Sequence, residues 1–257
     1  MQLIDSHTHL DFADFDNDRQ QVITKAKEQG VSDIIVSATT AKRWAVLKEV
    51  ADSCACCHPA YGLHPMFMQQ HHKGDIDKLK QWLETERAVA IGEIGLDFFI
   101  ENYQADEQIQ LFVAQVEIAS ELNLPVIIHA RKSLDIILKN LRQFKNLTGS
   151  IHSFSGSEQQ AQQCIDLGFY LSFGGPITYT RATRLRKLVS KLPLDSILLE
   201  SDSPDQPDAS HYQQRNEPAY ISNVAQVIAE LQDIEVDQVA NVTTRNAQAL
   251  FNLDKNI

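Results

Sequence analysis

Eight short apolar runs, each followed by a longer stretch of helical pattern, confine this chain to a repeated strand–helix architecture. The predicted strands are Gln2–Asp5, Asp33–Ser37, Pro59–Gly62, Ala88–Ile94, Pro125–His129, Ser150–His152, Tyr170–Phe173 and Ile197–Glu200. They are rich in Ile, Val and Leu or bounded by Gly and Pro, as strands covered on both faces should be. Predicted helices cover 16–29, 40–52, 74–86, 106–122, 133–144, 157–167, 180–192, 218–231 and 236–251. The fourth is the clearest: Ile109, Phe112, Val113, Val116 and Ala119 form a stripe of period 3.6. Gly30 closes the first as a C-terminal cap. No Pro-, Gly- or Ser-rich linker interrupts the series. At 257 residues the chain matches the roughly 250 typical of a single-domain (β/α)8 barrel of the TIM type. A doubly wound open sheet would carry a Gly-rich phosphate loop after its first strand, and His7-Thr8-His9 stands there instead.

Composition narrows the function. Hydrophobic residues make up 43% and charged residues 22%, which excludes disordered and fibrous classes. No apolar run approaches the ~18–20 residues of a membrane span. The start, Met1 to His7, lacks the basic and apolar segments of a signal peptide, so a cytoplasmic address is expected. With 23 basic and 34 acidic side chains the net charge is 23 − 34 = −11, which argues against wrapping duplex DNA. A nucleic-acid end entering a pocket stays open, because bound divalent cations reverse the local sign. No obligate protein partner is signalled.

Three of the four cysteines cluster as Cys54, Cys56 and Cys57, followed by His58. Structural zinc usually takes two spaced ligand pairs, and no second pair exists. The expectation is reduced thiols leading into a buried strand.

The potential metal ligands fall in a telling place. His7 and His9 end the first strand, two residues apart, so the strand period turns both to one face. His64 ends the third strand, Glu93 nears the end of the fourth, His129 ends the fifth, His152 ends the sixth and Asp202 follows the eighth. Barrel enzymes build their sites at the C-terminal ends of strands. A single strand histidine commonly serves as a hydrogen-bonded core residue, and a carboxylate there can cap a helix. Groups gathered in this way at one end are not all core residues and caps. His58, His71, His72 and His211 stay outside the set, with His71 and His72 expected in solvent. An imidazole and carboxylate set without thiolate suits Zn²⁺, Mn²⁺, Ni²⁺ or Mg²⁺, and hydrolysis rather than redox chemistry.

The ordered motifs Ile4-Asp5-Ser6-His7-Thr8-His9-Leu10-Asp11, Gly92-Glu93-Ile94-Gly95-Leu96-Asp97, Pro125-Val126-Ile127-Ile128-His129-Ala130-Arg131, His152-Ser153-Phe154-Ser155-Gly156 and Glu200-Ser201-Asp202-Ser203-Pro204 resemble the TatD family of metal-dependent hydrolases, within the amidohydrolase superfamily. The better-known members of that family are deoxyribonucleases. The resemblance implies two divalent ions per chain. It gives one to His7, His9 and Asp202 with help from Glu93, and the second to Glu93, His129 and His152. Ser133, Ser153 and Ser201 depart from the residues usual in relatives, and none replaces a ligand. Related binuclear enzymes often bridge their metals with a modified Lys from strand four. Glu93 stands there here, so an unmodified carboxylate bridges.

Two ions about 3.5–4 Å apart activate a shared water and brace the attacking and leaving oxygens of a phosphodiester. Asp202 is placed to take the proton of that water. Arg131, two residues past His129, keeps its parity and reaches the rim, where a guanidinium can clamp a phosphate or form a structural salt bridge. The Ser155-Gly156-Ser157 turn offers helix N–H groups to a phosphate, or simply an N-cap. Family analogy sets Arg215 at the substrate mouth, and His64 is counted with Arg131, Ser155 and Arg215 as a candidate substrate contact rather than a metal ligand. The function expected is divalent-metal-dependent hydrolysis of ester bonds, foremost phosphodiester bonds of DNA or oligonucleotides, with Asp202 and Glu93 as catalytic residues. An amidase, lactonase or deacylase on the same metals is the alternative.

Overall fold

The computed structural model describes residues 1–253. Eight strands, β1 (Leu3–Thr8), β2 (Val31–Ser37), β3 (Cys57–Tyr61), β4 (Ala90–Asp97), β5 (Val126–Arg131), β6 (Gly149–Ile151), β7 (Phe169–Phe173) and β8 (Ile197–Leu199), form one sheet in chain order. Every neighbouring pair from β1 to β8 is parallel. The seam closes just beyond β8, where Asp202 N–H donates to the His7 carbonyl at 3.0 Å and His9 N–H to the Ser203 carbonyl at 2.8 Å. The result is a (β/α)8 barrel.

Between the strands lie α1 (Arg19–Glu28), α2 (Trp44–Ser53), α3 (Asp75–Thr85), α4 (Ala105–Leu122), α5 (Leu134–Leu141), α6 (Glu158–Asp166) and α7 (Thr183–Val189). Two further helices, α8 (Ile221–Gln232) and α9 (Val236–Phe251), follow β8. No helix among the described residues is long and apolar enough to cross a membrane. The helical stretch expected over 40–52 divides into a 3-10 turn at Ala41–Arg43 and α2. That expected over 218–231 opens with a 3-10 turn at Pro218–Tyr220, where proline fits a first turn.

The core has two parts. Leu3, Ile34, Val36, Ile91, Val126 and Ile128 face the helices, inside the larger apolar cluster. Ile4, Ile35, Ala60, Ala90, Ile127 and Leu198 fill the barrel interior, where Leu250 and Phe251 of α9 seal its N-terminal end. Each fully buried Ile or Leu contributes about 1.5–3 kcal/mol. Above this floor the interior turns polar, beginning with Ser6 and Ser172, whose hydroxyls are 2.9 Å apart.

Two register shifts place the polar layer. One lies between Asp5 and Thr8 in the β1–β2 pairing, the other between Ile91 and Ile94 in β4–β5. Strict alternation from Ile4 and Ala90 would send His7 and Glu93 toward the helices. The shifts reverse the parity and bring both into the barrel. Just above the second shift, Gly95 has φ +142°, and a Cβ there would collide with the His129 carbonyl oxygen. Only glycine allows β4 and β5 to run this close.

Candidate metal centre

Glu93 stands at the centre of the barrel mouth and divides its two oxygens between two groups of imidazoles. Oε2 lies 3.2 Å from His7 Nε2 and 3.3 Å from His9 Nε2. Asp202 Oδ1 faces the same two nitrogens at 3.4 and 3.5 Å. Oε1 lies 2.9 Å from His129 Nδ1, His152 Nε2 and His64 Nε2. The six expected ligands therefore converge, and His64 joins them on the Oε1 side. Arrays of three ligand atoms form around His7, His9 and Asp202, around His7, Glu93 and His152, and around His64, Glu93 and His129.

Each ring is aimed by what its other nitrogen touches. His9 Nδ1 donates to the Ser37 carbonyl at 2.8 Å, which leaves Nε2 as a lone pair. His7 Nδ1 meets the Ser37 hydroxyl at 3.1 Å. His129 Nε2 donates to Asp97 Oδ2 at 3.1 Å, so Nδ1 is the nitrogen offered to the centre. His64 is different. Its Nδ1 accepts the Met66 N–H at 3.1 Å, so the neutral ring carries its proton on Nε2 and donates to Glu93. This makes His64 a hydrogen-bond donor to the cluster rather than a ligand. Glu200 Oε1 stands 3.6 Å from His152 Nδ1 and accepts the Ser153 N–H at 2.6 Å.

The electrostatics suit a cation. Burial alone would raise the Glu93 carboxyl, but His64, His152 and His7 reverse this and hold it well below the carboxylate range. Asp202 goes the same way, with the facing His7 and His9 imidazoles overcoming its burial. Burial pushes His9, His129 and His152 down, yet the facing carboxylates outweigh it and raise all three. Burial lowers His64 to about 4, so it is neutral. His7 Nε2 is buried and has no hydrogen-bond partner, although two carboxylate oxygens face it. A divalent ion between those nitrogens and oxygens would replace the protons that the imidazoles otherwise retain. The residues fit such ions.

Asp202 reaches the centre by a turn. β8 ends at Leu199, and Asp202 adopts φ +55°. Asn216 Nδ2 holds the turn through the Ser201 carbonyl at 2.6 Å, and the Gln206 amide donates to Asp202 Oδ2.

A cavity of about 440 Å³ opens over the centre, with His64, Phe67, Arg131 and Ser155 in its wall. Arg131 is exposed, lies 3.9 Å over the Phe99 ring and forms no salt bridge among the described residues. Ser157 is the N-cap of α6 in a capping box with Gln160, which uses the Ser157 and Gln160 N–H groups locally. Arg215 is not brought to the cavity. Its guanidinium is held by Asp18 at 2.6 and 2.9 Å and by Glu217 at 3.1 Å. His71 is half-buried rather than solvated, because Nε2 donates to the His64 carbonyl at 2.9 Å. Asp97, Glu200, Ser37 and Gln206 escaped the sequence reading. Asp97 shares strand parity with Glu93, and that signal was available; the other three show only after folding.

A parallel barrel whose mouth gathers imidazoles around a shared carboxylate belongs to the class of barrel hydrolases that work through divalent metals. Within it, the chain belongs to the TatD family: the family model described as "TatD related DNase" matches residues 4–252. The uncharacterized metal-dependent hydrolase YjjV of Escherichia coli (strain K12) is 38% identical over 255 residues, covering 98% of each chain. The uncharacterized metal-dependent hydrolase YabD of Bacillus subtilis (strain 168) is 34% identical over 254 residues, covering 98% of this chain and 100% of the relative. The crystal structure of YjjV superposes with a TM-score of 0.93 at 37% identity, covering 97% of this chain and 98% of that one.

Proposed function

We propose that this chain hydrolyses phosphoester bonds with two divalent metals, acting on DNA ends or oligonucleotides. The observation that carries the reading is the division of Glu93, whose Oε2 faces His7 and His9 while Oε1 faces His129 and His152. His7, His9 and Asp202 would hold one ion and His129 and His152 the other, with Glu93 between them. Bound there, the ions supply Lewis acidity and lower the pKa of water. Asp202 accepts the proton of the attacking water, with the Gln206 amide fixing the orientation of its carboxylate. His64 keeps Glu93 oriented through its Nε2–H. Arg131, stacked on Phe99 and unclaimed by a carboxylate among the described residues, clamps the phosphate. The family description supports a DNase. The net charge of −11 favours a strand end entering the cavity over a duplex lying across the surface.

The test is metal-reconstituted protein assayed in parallel on single-stranded DNA, duplex DNA, mononucleotide esters and acyl substrates. Turnover of the phosphoesters supports the reading. Turnover of acyl substrates alone would replace it with an amidase, lactonase or deacylase.

A further inference from the structure

At the opposite end of the barrel, three cysteines outside the proposed chemistry come together. Cys54 follows α2, Cys57 opens β3, and the turn between them closes through Cys57 N–H to the Cys54 carbonyl at 2.9 Å. Ile34 N–H donates to the Cys56 carbonyl at 2.8 Å and ties the turn to β2. The three sulfurs lie within 4.8 Å of one another, and those of Cys54 and Cys56 are 2.8 Å apart. All three are buried thiols, as the sequence led one to expect, but their convergence was not expected. The Lys27 ammonium donates to Cys54 Sγ at 3.4 Å, a positive charge beside the sulfurs. The adjacent His58 is engaged elsewhere. Its Nε2 meets Asp33 at 2.7 Å, and its Nδ1 accepts from Arg87 at 3.4 Å.

We propose that Cys54, Cys56 and Cys57 form a separate metal site that takes one thiophilic ion in three-coordinate geometry, Cu(I) in preference to Zn(II). Thiolates select Cu(I) and Zn(II) over the harder ions suited to an imidazole and carboxylate set. Structural zinc takes four ligands. Here three sulfurs converge, and no fourth ligand joins the group among the described residues. On binding, each Sγ–H gives its proton to solvent and the ion exchanges its previous ligands for three sulfurs, with no change of oxidation state. The positive charge of Lys27 offsets part of the excess negative charge. The bound ion would pin the exit of α2 to the start of β3, far from the cavity.

The experiment titrates reduced, metal-free protein anaerobically with Cu(I) held by a competing chelator. One ion per chain is expected, with an ultraviolet sulfur-to-copper charge-transfer band. Alkylation of Cys54, Cys56 and Cys57, read by peptide mass, should slow while that of Cys164 does not. Cys56→Ser should lose the band and weaken binding by more than the ~10–100-fold seen when a ligand merely loses a hydrogen-bond partner. Hydrolase activity of that variant with its divalent metals should be unchanged. Absence of the band and of protection in the unmutated protein overturns the proposal, and that measurement does not depend on a variant folding. So does a band undiminished in Cys56→Ser, or a Cys54–Cys56 disulfide in protein kept anaerobic. Displacement of Cu(I) by equimolar Zn(II) overturns the choice of ion.

Discussion

The His129 ring donates from Nε2 to Asp97 at 3.1 Å and thereby turns Nδ1 toward Glu93, 2.9 Å away. Asp97 thus decides which nitrogen of His129 is offered to a metal. Burial tends to raise the Asp97 carboxyl, and hydrogen bonds from His129 and the Phe99 N–H bring it below its ordinary value, so it accepts and does not donate. Asp97→Asn keeps the size and loses that certainty. Metal affinity and turnover should each fall by ~10–100-fold. Equilibrium dialysis and kcat on one preparation provide the check, and unchanged values would mean that packing alone holds the ring.

Asp202→Asn separates metal holding from proton transfer. The amide keeps one weak oxygen ligand and loses its charge and basicity. General-base assistance is worth ~10²–10⁴-fold, so kcat should fall by that order while an ion at His129 and His152 is retained. Full metal content with kcat within about tenfold of the parent would assign the proton to another acceptor.

Arg131→Ala should weaken phosphoester substrates by about 1.5–3 kcal/mol, the range of a hydrogen bond to a charged group. Acyl substrates, where turned over, should lose far less. Equal losses would return Arg131 to a purely structural role beside Phe99.

The barrel and its six candidate ligands were legible because strands buried on both faces leave continuous apolar runs, and because ligands at strand ends stand out against them. The strand limits were less so. β1 runs on through His7 to Thr8 and β4 to Asp97, past the point where apolar residues stop, since the polar layer belongs to the strands too. Glu93 enters the barrel through a register shift that no residue pattern announces. The pairing of Arg215 with Asp18 was not legible, because an arginine in a loop looks the same whether it faces substrate or a carboxylate.

Asp5 supplies a pH signature for the metal-free protein. Burial raises its carboxyl to about 7, against the hydrogen bonds that Ser201 donates to it at 2.6 and 2.9 Å. The folded chain therefore keeps a proton that the unfolded chain releases near 3.8. With the folded pKa above the unfolded one, the associated stability is complete below the unfolded value and is lost as pH rises through about 7. Asp5→Asn cannot ionise. Its melting temperature relative to the parent should climb between pH of about 4 and 7, and a flat difference would show that Asp5 titrates as an ordinary carboxylate.

The glycine at position 95 sets a dimension. Because no side chain fits between it and the His129 carbonyl, the gap between β4 and β5 at this height is fixed by main chain against main chain. The spacing of Glu93 and His129 is then inherited from the backbone and is insensitive to which rotamers or loop residues surround them. Directed evolution of the rim, at Phe67, Arg131 or Ser155, can therefore change which molecules enter while the distance between those two groups stays constant.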